Sequence, residues 1–257
     1  MSYYEREQQI INILLKRQSI GNNELAKELY ISAPTLRRDL DKMDRKGLIV
    51  RTHGACSLNK KLADEKIPLY FREQEHNSAK IKMAKVAVNH IKNGDIIMMD
   101  SSTSAYNIVP YLKAFSDVIV ITNGAKTSHT LGTMSIKNIS TGGQMITESL
   151  SYVGPEAMHA VQRYNADVFI FSCRGVSDDG WLTDTSVEEN ELRREMMKRA
   201  KKKVFLCDSS KFGQGCFNNL CHVSEVDEVI CNEALPEHIM KYLNRKNYMI
   251  CEGRNLK

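Results

Sequence analysis

Four short polar segments carry the side chains and backbone groups that could bind a phosphorylated, hydroxyl-rich ligand. Their candidate ligand-binding residues are Asp100, Ser101, Ser102, Thr103, Ser104, Thr122, Asn123, Gly142, Gly143, Asp208 and Lys211. Four consecutive hydroxyl residues with free amides at the start of a helix favour an anion, and a lysine adds a cation for a phosphate or a carboxylate. Each segment alone is more typical of a helix cap or a tight turn than of a ligand site. Their common placement after strands favours a ligand site.

A different chemistry is indicated near the N-terminus. Residues 32–56 contain six Lys or Arg against three Asp, a local positive excess within a chain whose net charge is only +5. Arginine can hydrogen-bond guanine through two N–H groups, and Ser or Thr can hold phosphate. The candidate DNA-binding residues are Ser32, Thr35, Arg37, Arg38, Arg51 and His53. A solvated basic helix in an ordinary three-helix bundle is the alternative, because the three aspartates partly neutralise the field.

Alternating strands and helices must position the ligand-binding segments. Apolar or β-branched runs predict strands at 95–99, 118–122, 137–140, 167–171, 204–207 and 228–231. Helices are expected at 80–90, 106–114, 126–131, 156–162, 187–200 and 236–245. This alternation predicts an α/β domain with a mostly parallel sheet covered on both faces. In such a sheet ligands bind at the carboxyl ends of strands, where the polar segments lie.

The basic residues fall on a helix-turn-helix pattern. Apolar spacing predicts helices over 4–16, from a cap at Asn22 or Asn23 to Leu29, and from a Ser32 cap to Lys46. Leu36, Leu40 and Met43 form the buried stripe of the third helix, so the arginines point outward near its N-terminus. A strand over 48–51 and a turn over 52–54 would form a wing beside that helix.

Composition excludes several classes of protein. Hydrophobic residues are 42% and charged residues 26% of the 257, which is typical of a folded globular chain of one or two domains. The longest apolar runs are four residues, too short for a membrane span, and the first residues do not resemble a signal peptide. Seven scattered cysteines lack a Cys-x-x-Cys pair, so neither disulfides nor a metal site is expected. We therefore expect a cytoplasmic protein without membrane association, metal or cofactor.

The N-terminal motifs resemble the winged helix of DeoR-type transcriptional regulators. The resemblance rests on Glu24-Leu25-Ala26, on Thr35-Leu36-Arg37-Arg38-Asp39-Leu40, and on Arg51-x-His53-Gly54. Pro34 and the pair Ala55-Cys56 depart from the family pattern without breaking it. The resemblance implies binding to a double-stranded DNA operator, for which a homo-oligomer, a dimer or tetramer, is expected from the symmetry of such sites.

The polar segments also resemble the effector domain of these regulators. Asp179-Gly180-x-x-Thr183, ahead of the helix at 188–196, extends the resemblance over nearly the whole chain. This domain is similar in fold to sugar-phosphate isomerases and CoA transferases, and the family's effectors are mostly sugar phosphates. Ser102 and Asn190 depart from the family, which usually has Gly and Ala there. The expected domains are a winged helix at 1–57, a linker at 58–76 and an effector-binding domain at 77–257.

The expected function is regulation of sugar-metabolism genes, as a repressor controlled by a phosphorylated sugar. The alternative is a sugar-phosphate isomerase or deaminase with an added DNA-binding domain. Isomerases of this fold carry an acidic loop that would fall at residues 172–175, where this chain has no carboxylate. Asp178, Asp184, Glu188 and Glu189 lie nearby, but are more simply loop caps and first-turn acids of a helix. Sensing without catalysis is therefore the prediction, and a purely structural module has little support.

Overall fold

Residues 1–59, 69–243 and 248–251 are described by the computed structural model of the chain. Its contacts divide the chain into two units, residues 1–75 and residues 76–257. No helix in these described ranges is long and apolar enough to cross a membrane.

Residues 1–59 of the first unit fold into helices and a small antiparallel sheet. The elements in chain order are α1 (Tyr3–Arg17), β1 (Ser19–Gly21), α2 (Asn22–Glu28), α3 (Ala33–Arg45), β2 (Ile49–Thr52) and β3 (Ala55–Leu58). The strand order is β1-β3-β2, so the wing is a three-stranded sheet. The sequence predicted only the strand around 48–51, because β1 and β3 are short and depend on each other for their pairing.

Helix capping explains where the first helices begin and end. Ser2 and Glu5 form a capping box at the start of α1, and Ser32 caps α3 by accepting a hydrogen bond from the Thr35 amide at 3.4 Å. The expected cap at Asn22 or Asn23 is wrong, because Gly21 holds that position without a side-chain bond. The predicted stripe of α3 is confirmed, since its apolar side chains are buried in the first unit's core.

The segment expected to be a linker, residues 58–76, contains more structure than a connection needs. Leu58 belongs to β3, and helix α4 (Leu69–Gln74) lies in the first unit, with Leu69 buried. Residues 60–68 of that linker lie outside the described residues.

The second unit is built on a seven-stranded parallel sheet. Its strands, with those of two smaller sheets, are β4 (Ile96–Met99), β5 (Ile119–Thr122), β6 (Asn138–Ser140), β7 (Gln144–Ile146), β8 (Ser151–Val153), β9 (Ala166–Phe171), β10 (Gly175–Val176), β11 (Trp181–Asp184), β12 (Ala200–Cys207), β13 (Asn218–His222), β14 (Glu228–Cys231) and β15 (Tyr248–Ile250). The order in the large sheet is β15-β14-β12-β9-β4-β5-β6. The six predicted strands of this sheet are confirmed, and β15 is an addition.

Helices cover both faces of this sheet. They are α5 (Asn77–Ala87), α6 (Thr103–Tyr106), α7 (Ala125–Thr133), α8 (Pro155–Gln162), α9 (Val187–Arg199) and α10 (Glu237–Met240). Alternate residues of the central strands enter two separate cores: Phe169 and Phe171 pack with α8 and α9, whereas Val168 and Ile170 pack with α5. This two-sided burial explains why the strands read as continuous apolar runs.

Two predicted helices are shorter than expected. The helix over 106–114 is replaced by the single turn α6 and a 3₁₀-helix, Val109–Ala114. Pro110 explains the break, because proline lacks an amide hydrogen and its ring clashes with the carbonyl one turn earlier. The helix over 236–245 reduces to α10, and residues 244–247 lie outside the described part of the chain.

Two small antiparallel sheets accompany the large one. Strands β7 and β8 form a hairpin, and β10, β11 and β13 form a second sheet in the order β10-β11-β13. Arg194 of α9 donates to the backbone oxygens of Leu220 and Asn219, which ties α9 to β13. None of these strands was predicted, because each is short and mixed in polarity.

All seven cysteines are free thiols. Cys56 is buried in the first unit, and Cys173, Cys207, Cys221 and Cys231 are buried in the second. Within the described residues, no three His, Cys, Asp or Glu side chains are arranged to hold a metal ion.

Candidate nucleic-acid interface and effector site

The outer surface of α3 presents two exposed arginines. Arg37 and Arg38 are exposed, and neither has an ion-pair partner among the described residues. Asp39 instead points inward, where Arg6 donates to both its oxygens at 2.6 and 3.0 Å. Arg6 therefore neutralises the Asp39 carboxylate on the inner side of α3, and the surface formed by Arg37 and Arg38 remains available to a polyanion.

The remaining candidate DNA-binding residues surround this surface. Ser32 is exposed and Thr35 half-buried, and their hydroxyls are 2.9 Å apart at the helix start. His53 is exposed in the turn between β2 and β3. Arg51 of β2 forms an ion pair with Asp41 of α3, so the wing is tied to the helix that it flanks. The predicted residues thus share one unit, but Arg51 already has a partner.

The strand order of the large sheet marks the expected ligand site. Beginning at β4, the chain adds β5 and β6 on one side and then β9, β12, β14 and β15 on the other. The crevice beyond the carboxyl ends of β4 and β9, where the order reverses, is the usual ligand position in open α/β sheets. Asp100 follows β4 and Ser172 follows β9, and the Ser172 amide donates to Asp100 Oδ2 at 3.3 Å.

Asp100 is fully buried at this switch point. Its Oδ1 accepts from the amide of Ser102 at 3.1 Å and from the Ser102 hydroxyl, and its Oδ2 accepts from Arg193 Nε at 3.0 Å. Burial raises the pKa of Asp100, although Arg193 and the hydrogen bonds from Ser102 and Ser172 oppose the shift. The residue lies where the sequence placed it, but its acceptor positions are already occupied.

Arg193 of α9 joins the carboxylates of three different segments. Besides Asp100, its guanidinium contacts Asp184 Oδ2 at 2.9 Å and Glu189 Oε2 at 3.3 Å, and all four side chains are buried. Burial opposes its charge, but Asp184, Glu189 and Asp100 outweigh that effect and raise the pKa of Arg193. It also donates to Asn190 Oδ1 at 3.1 Å. We call Arg193 with its three carboxylates the Arg193 cluster.

Three further hydrogen bonds tie this part of α9 to the small sheets. Glu189 accepts hydrogen bonds from the hydroxyls of Ser149 and Ser151 beside the β7–β8 hairpin, and Asn190 donates to Asn218 Oδ1 at 2.7 Å. Sequence reasoning missed Arg193 entirely, because α9 carries charged residues all around and reads as a solvated helix. Asn190 was noticed only as a departure from a family pattern, and the apolar residues Leu192 and Met196, which are buried in the same helix, are the sequence signal that part of α9 faces inward.

Lys211 is the cation of the candidate site. Its Nζ donates to Ser172 Oγ at 2.6 Å and lies 3.6 Å from Asp208 Oδ2, and its side chain is largely buried. Burial alone would raise the pKa of Asp208, but Lys211 and the Ser210 hydroxyl outweigh it, so the pKa lies below its ordinary value. Ser172 therefore connects Lys211 with Asp100 across the switch point.

Two buried polar atoms at this edge have no hydrogen-bond partner among the residues that the structure describes. They are Ser104 Oγ and Asn123 Oδ1. The Asn123 side-chain nitrogen donates to the Tyr152 carbonyl at 3.2 Å, which leaves its oxygen as the open acceptor. Buried polar atoms are normally satisfied, so these two atoms are suited to a ligand hydroxyl or a water.

The other predicted residues shape the same edge. Ser101, Thr103 and Thr122 are buried, and the Thr122 hydroxyl accepts from the Gly124 amide at 3.0 Å. A Cβ on Gly143, whose φ is +108°, would lie 2.5 Å from the Val153 carbonyl, so only glycine fits there. Gly142 also has a positive φ, +62°, with open space around it. Because α6 is only one turn long, its N-terminus offers less to an anion than the sequence suggested.

Known proteins resemble both units. Residues 6–62 match a family model described as a DeoR-like helix-turn-helix domain, and residues 75–233 match one described as the DeoR C terminal sensor domain. The chain is 30% identical to the L-fucose operon activator of Escherichia coli (strain K12), covering 89% of this chain and 94% of that protein. It is 24% identical to the glycerol-3-phosphate regulon repressor of the same organism, covering 95% of this chain and 96% of that protein.

A solved structure of ribose 5-phosphate isomerase A from Methanocaldococcus jannaschii is also similar, with a TM-score of 0.41 and 17% identity over 53% of this chain and 55% of that one. The two family models together cover most of the chain, in the order that its two units follow. The chain therefore belongs to the DeoR family of transcriptional regulators, with a DNA-binding helix-turn-helix domain followed by a sensor domain.

Proposed function

We propose that this regulator is a cytoplasmic repressor of sugar-metabolism genes and that a phosphorylated sugar, bound at the switch point of the sensor domain, controls its binding to an operator. The observation that carries the proposal is the set of open polar groups at one sheet edge. Ser104 Oγ and Asn123 Oδ1 are buried and unpartnered among the described residues, and the Lys211 ammonium lies at the same edge.

The charges at this edge are distributed in two poles, which suits a ligand with one anionic end. Around Arg193, three carboxylates face one cation. Around Asp208 the balance reverses, because Lys211, Lys80 and His76 all lower the pKa of that single carboxyl. A phosphate is therefore favoured at the Lys211 side. Sugar hydroxyls are favoured at Asn123 and Ser104, on the side away from that charge.

Sensing without turnover agrees with the state of the nearby carboxylates. An isomerase or deaminase needs an acid–base group that can reach its substrate. Asp184 and Glu189 are both buried and held by Arg193, and Asp178 is exposed beside His238 at 3.5 Å. Asp184 and Glu189 are therefore held by a buried cation and are not free bases.

The DNA side of the proposal rests on the exposed pair Arg37 and Arg38. A symmetric operator would be bound by two copies of α3, so we propose a homo-oligomer, a dimer or a tetramer. Release of DNA on ligand binding is the expected sign of regulation for a repressor.

A ligand screen followed by a DNA-release assay tests this function. The full-length protein is heated with pentose 5-phosphates, hexose 6-phosphates, glycerol phosphates and the matching unphosphorylated sugars. A ligand at about 100 times its Kd stabilises the native protein by roughly 2.7 kcal/mol. We expect a phosphorylated compound to raise Tm, and the same compound to weaken binding to DNA selected from a random pool. Stabilisation by unphosphorylated sugars alone would refute the phosphate site, and turnover of the hit, followed by NMR, would refute sensing without catalysis.

A further inference from the structure

The hydrogen bonds of Asp100 leave its carboxylate with no place for a ligand. A carboxylate has about four acceptor positions. Two at Oδ1 are taken by the amide and the hydroxyl of Ser102, and two at Oδ2 by the amide of Ser172 and Nε of Arg193. The carboxylate of Asp100 at the switch point thus has its acceptor positions filled before any ligand arrives.

The two halves of this carboxylate face different surroundings. Oδ2 is held by buried groups, since Ser172 and Arg193 are almost inaccessible to solvent. Oδ1 is covered by Ser102, which is half-buried, whereas Ser101, Thr103 and Ser104 beside it are buried. Ser102 is therefore the residue of this loop that stands between Asp100 and the open side of the site.

Arg193 would keep the carboxylate in place if Ser102 were changed. Its guanidinium is fixed by Asp184 and Glu189 as well as by Asp100, so the Oδ2 contacts do not depend on the Ser102 hydroxyl. Removal of that hydroxyl would open one acceptor position of Oδ1, while the Ser102 amide would continue to hold the oxygen in place.

We propose that Ser102 is a specificity-determining residue, whose hydroxyl withholds Asp100 Oδ1 from the ligand. Recognition of hydroxyl groups then falls to the neutral atoms Asn123 Oδ1 and Ser104 Oγ, while Asp100 and Arg193 are positioning residues. This proposal rests on the proposed binding of a sugar phosphate at the same site, and it names the residue that decides which hydroxyl pattern is accepted.

The test compares affinities within pairs of ligands. Wild type and Ser102→Gly are titrated calorimetrically with hexose and pentose phosphates, each paired with its deoxy analogues. Glycine is the suitable replacement because Ser102 is the N-cap of α6, a position at which glycine is well tolerated. In Ser102→Gly we expect the preference for at least one parent sugar phosphate over its deoxy analogue to rise by about tenfold or more, as a charge-assisted hydrogen bond allows.

Two control variants separate selectivity from stability. Ser102→Thr keeps a hydroxyl and should retain the wild-type preferences. Ser128 of α7 donates its hydroxyl to Asn138 Oδ1 of β6 at 2.7 Å and not to Asp100. Ser128→Ala should therefore change no preference. Two results for Ser102→Gly would overturn the role of Ser102 and leave the proposed function standing. One is a set of preferences within twofold of wild type for every pair, and the other is a uniform loss of affinity for all ligands. Failure of every compound to bind wild type would overturn the proposed function, and this inference with it.

Discussion

The recognition helix and the switch point use arginine in opposite ways. On α3, Arg37 and Arg38 project from the surface without an ion-pair partner among the described residues, while the adjacent Asp39 is neutralised by Arg6 from the inside. At the switch point, Arg193 is buried and bound to three carboxylates. The first arrangement keeps charge available for an external polyanion, whereas the second uses charge to fix the loops around a pocket. The local positive charge and the motif therefore indicate the role of the α3 arginines from sequence, whereas only the tertiary structure reveals the role of Arg193.

The largest expected effect would test whether Arg193 is structural. Arg193→Met leaves three buried carboxylates around one empty position, and breaking such a buried pair costs about 3–5 kcal/mol of unfolding free energy. Urea unfolding followed by fluorescence of Trp181, the single tryptophan of the chain, reports on the second unit. The exposed Arg163→Met is the control and should be nearly neutral. Wild-type stability in Arg193→Met would contradict the Arg193 cluster.

The complementary change on α3 should affect binding and leave stability intact. Arg37→Ala should weaken operator binding by about 1–3 kcal/mol if it reads a base, and Arg38→Ala or Arg51→Ala should weaken all sequences similarly and reduce the salt dependence. Because Arg37 and Arg38 are exposed, their loss should change the unfolding free energy by less than about 0.5 kcal/mol. Fluorescence anisotropy with labelled DNA measures the affinity, with Lys113→Ala as control. Undiminished binding by the Arg37→Ala, Arg38→Ala double variant would end the assignment of α3 as recognition helix.

Lys211 lies between these extremes, because it is paired and yet faces the open side of the site. Lys211→Ala should weaken binding of a sugar phosphate about tenfold to a hundredfold, the range of a charge-assisted hydrogen bond. DNA affinity without effector should be unchanged, so the variant would stay on its operator. Isothermal titration with the best ligand of the screen measures the loss, and Lys201→Ala, an exposed lysine paired with Asp167, serves as control. Equal affinities would remove Lys211 from the site.

The smallest expected effect is on the pH dependence of stability and concerns His90, which the native fold keeps uncharged. Burial, together with Lys202, lowers the pKa of His90 to about 4, below its ordinary value. Between these two pKa values the unfolded chain binds a proton at His90 and the native state does not. The stability associated with neutral His90 is therefore fully present above about pH 6.5 and is lost as pH falls toward 4. Since His90 is only half-buried, solvent screening limits the loss to roughly 1 kcal/mol or less. His90→Gln should flatten the decline in unfolding free energy between pH 7 and pH 5, and an unchanged decline would contradict it.

The parts predicted from sequence are those in which local pattern and tertiary role agree. Strands β4 and β9 and the second half of β12 are buried on both faces, so their apolar runs are visible without a partner. Strand β13 contains Asn218, Asn219 and His222, and exists because β11 and α9 lie beside it. The polar residues after β4 and β12 were found because strand ends are natural positions for ligands. Arg193 was not found, since a charged residue on a charged helix carries no sign of burial until the loop after β4, strand β11 and helix α9 bring its three carboxylate partners together.

The distribution of thiols gives each unit its own reporter of local opening. Cys56 is a deeply buried cysteine of the first unit, and Cys173 and Cys231 are deeply buried in the second. Burial raises the pKa of Cys56 and of Cys231 to about 11, and that of Cys173 to about 12, so the native thiols are neutral as well as shielded. An alkylating reagent can reach them only through transient unfolding. The rate of modification at each residue, read by mass spectrometry, would therefore measure how often each domain opens in the intact regulator, and whether an effector slows that opening in the sensor domain alone.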